Sequence, residues 1–76
     1  MTPKKRVTWW AATRRMAEKV RDQFSACDLW ISLGQGSPAP PMTRYRRREL
    51  RRRLARLSAL VEALRLRVAE TEVDEP

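Results

Sequence analysis

Residues 34–42 read Gly-Gln-Gly-Ser-Pro-Ala-Pro-Pro-Met, and no helix crosses such a run. Proline lacks a backbone donor and clashes with the preceding turn, and glycine is costly in a helix interior. The break stands in the middle of a 76-residue chain, so the chain must fold as two arms about it. Both arms have a helical period. In residues 8–33, Trp9, Met16, Val20, Phe24, Cys27 and Ile31 recur at steps of three, four or seven, the spacing of one helix face. Thr8 is a candidate cap, with Thr2 before Pro3 as a rival start. Gly34 is expected to end the helix in the left-handed conformation. In residues 43–70, Thr43 is the expected cap. Leu50, Leu54, Leu57, Val61, Leu64 and Val68 then step by 4, 3, 4, 3 and 4, a heptad seam. Leu60 and Leu66 lie off that seam and widen the apolar face. Residues 1–7 read as a basic arm and 71–76 as an acidic tail. The expected fold is all-α: one small helical domain built as a hairpin of two helices.

A chain of this size buries only about 60% of the surface its unfolded form exposes, and below roughly 80 residues a fold usually needs a staple. The single cysteine, Cys27, cannot form a disulfide within the chain, and the absence of histidine removes the usual zinc sets and the usual general base. No cofactor is expected, and the composition points away from an enzyme. Self-association through Leu50, Leu54, Leu57, Val61, Leu64 and Val68, as a dimeric four-helix bundle, is the expected staple, or else docking on a larger protein. A lone thiol on the apolar stripe reads as a small buried hydrophobe and suits a reducing, intracellular compartment. No apolar run is long enough to span a bilayer, and a membrane is not the expected partner.

Lysine and arginine number 17 against 9 acidic residues, a net charge of +8. That balance points to polyanions. Arg44, Arg46, Arg47, Arg48, Arg51, Arg52, Arg53 and Arg56 fall within thirteen residues, with Tyr45 among them and Glu49 as the one acid. They occupy the N-terminal turns of the second helix, where the macrodipole is already positive, while Glu70, Glu72, Asp74 and Glu75 follow its negative end. So consistent a breach of a local rule marks a candidate functional site. Guanidinium groups pair with phosphates through planar forks and stack on bases. The eight arginines and Tyr45 are therefore the candidate nucleic-acid-binding residues, for RNA or DNA. The alternative is an assembly subunit that docks the same helix on an acidic protein surface. Trp10 and Trp30 are candidate contact residues, and Trp9 reads as core. If the second helix pairs with its own copy about Ala59, the acidic tail of one chain faces Arg44 and Arg46 of the other.

The stretch from Gly36-Ser37-Pro38-Ala39-Pro40-Pro41-Met42-Thr43-Arg44 to Arg56, preceded by a helix, resembles the layout of the lentiviral Rev-type arginine-rich RNA-binding proteins. The resemblance implies a helical hairpin whose arginine helix binds structured RNA and acts as a nuclear import signal, with apolar faces that oligomerise. Pro3-Lys4-Lys5-Arg6-Val7 is similar to a monopartite nuclear import signal. Leu57, Val61, Leu64 and Leu66 have the spacing of a leucine-rich export signal. On this resemblance the location is nuclear in a eukaryotic or viral setting; otherwise it is cytoplasmic. The order of a basic stretch followed by heptads is also similar to bZIP factors, but the asparagine those basic regions use on bases is missing, since the chain contains no Asn.

Overall fold

The computed structural model describes residues 2–36 and 38–75. It is all-helical among those residues: α1 spans Pro3–Ser32, a single 3-10 turn covers Leu33–Gln35, and α2 spans Arg44–Ala69. The two long helices pack against each other as a hairpin, 57 Å long and 18 by 17 Å across.

The start of α1 corrects the sequence reading. Thr2, not Thr8, is the cap: its side chain accepts a hydrogen bond from the Lys5 amide, and Pro3 supplies a first helical residue with φ already fixed. Thr8 lies inside the helix and its hydroxyl donates back to the Lys4 carbonyl. The basic arm of residues 1–7 is thus, from Pro3 on, the first turns of α1. The end of α1 differs as well. Gly34 does not take up a left-handed conformation. The helix tightens into the 3-10 turn, and Gly36 continues in extended backbone (φ −67°, ψ 163°) toward the prolines. At α2 the expectation holds, with Thr43 accepting from the Arg46 amide at 3.1 Å.

Among the described residues, hydrogen bonds from Arg67 to Thr13 and from Arg6 to Asp74 join distant parts of the chain. Both link residues whose numbers add to 80, so residue i of α1 stands level with residue 80−i of α2. The burial pattern obeys the same register. Trp9, Thr13, Met16, Val20, Gln23, Cys27 and Trp30 turn inward from α1, and Arg46, Leu50, Arg53, Leu57, Leu60, Leu64 and Arg67 from α2. Each set steps by three and four. Leu50, Leu57 and Leu64 therefore belong to the seam within the chain. Leu60, expected off the seam, is on it, whereas Leu54, Val61 and Val68 are left on the surface. In α1, Phe24 and Ile31 are likewise on the surface, and Gln23 and Trp30 take the seam positions. One helix can present only one pair of heptad positions to a single neighbour. The apolar residues of each helix occupy more than that, so a second set must remain outside. The core is correspondingly thin: among the described residues Cys27, at 2% exposure, is the buried hydrophobic side chain.

Candidate nucleic-acid interface

The arginine block divides into two groups according to which side of α2 each residue occupies. Arg46 and Arg53 point along the seam. The Arg46 Nη1 donates to the Pro41 carbonyl at 2.6 Å, which ties the connector to the first turn of α2. The Arg53 guanidinium stacks over the Trp30 ring, 5.1 Å from its centroid, a cation–π contact that holds the turn end of the hairpin. Its Nε is buried and makes no hydrogen bond, with Glu49 Oε2 4.0 Å away. Glu49, the one acid of the block, is itself largely buried and accepts from Arg52 at 2.8 Å. Arg52 is thereby partly neutralised.

Arg44, Arg47, Arg48 and Arg51 form the other group. They are spaced i, i+3, i+4 and i+7, so they share one face, and together they line a shallow open groove of about 270 Å³. All four are exposed, and none has an acidic partner among the described residues. Met42 and Thr43 continue the recess past Arg44. This face lies on the first two turns of α2, where the helix dipole adds positive potential to four unpaired guanidinium groups. A phosphate chain laid along it relieves repulsion that the free protein carries. Arg56 lies on the opposite flank, in a smaller recess with Gln23, Arg52 and Arg53.

Tyr45 is exposed, with its ring centroid 6.3 Å from that of Trp30, so Trp30 is a neighbour of the arginine block through both Tyr45 and Arg53. The sequence placed Trp30 as a contact surface; its half-buried seam position makes it a support for the block instead. Trp9 stands against Trp10 edge to face at 4.9 Å, and the Arg67 guanidinium lies 5.5 Å from the Trp9 ring. Arg67 was legible only as a charge near the end of α2. In the structure its Nε donates at 2.8 Å to the Thr13 hydroxyl, which is nearly buried and itself donates to the Trp9 carbonyl.

The acidic tail turns back on its own chain. Asp74 pairs with Arg6 at 3.1 Å, closing the open end of the hairpin. Glu62 is gripped by two bonds from Arg65, at 2.6 and 3.0 Å, which hold its carboxyl below the ordinary value. No cluster of His, Cys, Asp or Glu suited to a metal ion occurs among the described residues, and no helix among them is long and apolar enough to cross a membrane.

Comparison with known protein families, with curated proteins and with solved structures finds no match to this chain.

Proposed function

We propose that this chain is a small non-enzymatic nucleic-acid-binding accessory protein. The groove of Arg44, Arg47, Arg48 and Arg51 takes the phosphate backbone, and an apolar surface joins two copies. The observation that carries the reading is the sorting of the arginine block. Two arginines brace the hairpin and one is paired with Glu49. Of the five that remain, Arg56 lies on the other flank, and Arg44, Arg47, Arg48 and Arg51 line a single exposed groove with no acidic partner among the described residues. A merely solvating surface does not need four like charges on one side of two turns, since alternating signs keep a helix soluble without the repulsion. The chemistry suits phosphates of either DNA or RNA, and Tyr45 at the edge of the block offers an aromatic ring to an unpaired base.

Fluorescence anisotropy with labelled duplex DNA, hairpin RNA and single strands tests this. Neutralising about four phosphates gives a slope of log K against log[salt] of about −3.6 for duplex and −2.8 for single strands. Affinity should then fall roughly 150-fold or 50-fold between 50 and 200 mM salt. Changing Arg44, Arg47, Arg48 and Arg51 together to Gln should flatten that slope. Salt-insensitive or absent binding, with tight association to an acidic protein surface instead, would transfer the groove to the protein-docking alternative.

A further inference from the structure

The seam leaves a second heptad stripe on each helix. On α1 it is Trp10, Ala17, Phe24 and Ile31; on α2 it is Leu54, Val61 and Val68, all exposed. Trp10 and Phe24 are 64% and 60% exposed. Each of these residues directly follows a seam residue. The helices run antiparallel, so this one-residue step rotates both stripes to the same flank of the hairpin. Trp10 stands nearly level with Val68, Ala17 with Val61, and Phe24 with Leu54. An apolar depression lined by Trp10, Ala11, Thr13, Arg14 and Ala17 opens on the same flank. On the other flank the arginines Arg52 and Arg56 surround the recess at Gln23.

We infer that this flank is covered by a second copy of the chain, in an antiparallel two-fold dimer whose axis passes between Ala17 and Val61. The inference rests on the self-association part of the reading above and gives it a surface. Leu54, Val61 and Val68 supply it, joined by α1 residues, while Leu50, Leu57 and Leu64 are occupied within the chain.

Three observations select a second copy. First, a seven-residue repeat on both helices of one flank is the pattern that interdigitates with another helix pair, not with an irregular surface. Second, the pattern is self-complementary. Small Ala17 sits on the axis, and Trp10 and Phe24 lie seven residues to either side, so Trp10 of one copy meets Phe24 of the other. Leu54 and Val68 stand in the same relation to Val61. A two-fold contact requires such like-for-like matching. Third, charge chooses between the two possible pairings. With the turns together, both arginine blocks would crowd the same end of the dimer. With the turns apart, each block lies beside the other copy's open end, where Glu70, Glu72, Asp74 and Glu75 balance Lys4, Lys5 and Arg6.

The test is site-directed disulfide trapping in the full chain carrying Cys27→Ala. Ala17→Cys lies on the axis and should trap a disulfide dimer on mild oxidation. Lys19→Cys, on the opposite flank, should form little disulfide-linked dimer under the same oxidation. Light scattering of the unmodified chain should give twice the chain mass, and Phe24→Glu with Val61→Glu should halve it. Faster trapping at Lys19→Cys than at Ala17→Cys would overturn the proposal. So would a cooperatively folded monomer at high micromolar concentration, and a monomer that floats with phosphatidylserine vesicles would assign the flank to a bilayer. None of these readouts involves nucleic acid, so a failure here leaves the arginine groove to be judged by its own assay.

Discussion

Arg53 separates what an arginine does for the fold from what it does for a ligand. Its guanidinium gains a cation–π contact with Trp30, worth about 0.5–1 kcal/mol at an exposed site and up to ~2 when desolvated. Against this stands a buried Nε without a hydrogen bond, which costs about 1–3 kcal/mol. The side chain is 31% exposed and sits level with Cys27 in the seam. A leucine there keeps the packing, removes the orphan donor and adds apolar burial of about 1 kcal/mol. Arg53→Leu is therefore expected to stabilise the hairpin by about 1 kcal/mol, a rise of roughly 4–8 °C in Tm for a domain of this size. Removing any arginine also relieves repulsion within the block, so Arg48→Leu is the control: it deletes the same charge from an exposed position. Thermal unfolding followed by circular dichroism at 0.3 M salt should place Arg53→Leu above both the parent and Arg48→Leu. In the anisotropy assay the order should reverse, with Arg48→Leu weakening polyanion binding and Arg53→Leu leaving it almost unchanged. A drop in Tm for Arg53→Leu would refute the reasoning, because the Trp30 contact would then outweigh the orphan donor.

Thr13→Val removes the acceptor for the Arg67 Nε and leaves a half-buried charged donor unpaired, so it should cost about 1–3 kcal/mol in urea unfolding. Thr43→Ala deletes the cap of α2 and should lower stability by about 1 kcal/mol, with a matching loss of helicity. Glu62 is a carboxylate whose value in the fold is lowered by Arg65. Its contribution is present above the unfolded value and is lost as pH falls through the folded one. Glu62 is exposed, so Glu62→Gln should shift the acid limb of a pH–Tm profile only slightly and leave neutral pH stability nearly unaltered.

The hairpin was legible because its signals are local: a Gly/Pro run that no helix crosses, Thr43 before a helical run, and heptad spacing on either side. The phase of packing was not. Leu50, Leu57 and Leu64 form one heptad line and Leu54, Val61 and Val68 another. Apolarity alone cannot say which line meets α1 and which stays outside. The seam also contains Thr13, Gln23, Arg53 and Arg67, which a hydrophobic pattern passes over, and Phe24 and Ile31 were drawn inward for the opposite reason. Arg53 and Arg67 can sit there because their aliphatic stems pack while their heads stack on Trp30 and Trp9. At the arginine groove, composition identified the block, but only the direction of each side chain separated Arg44, Arg47, Arg48 and Arg51 from Arg46 and Arg53. The rival starts Thr2 and Thr8 are a smaller case: the proline after Thr2 decided the helix start.

The Thr13–Arg67 and Arg6–Asp74 contacts also bear on the pairings the chain must refuse. A two-helix hairpin with leucines every seven residues can slide by a whole heptad and still match apolar to apolar. Here such a slide is punished at each end. Moved one way, Arg67 arrives opposite Arg6, and two like charges share a closed end. Moved the other way, Arg67 meets Val20 and loses the Thr13 hydroxyl, while Arg53 runs past Trp30 to Gly34, where no ring receives it. The seam arginines act as position markers on a ladder of otherwise interchangeable leucine rungs.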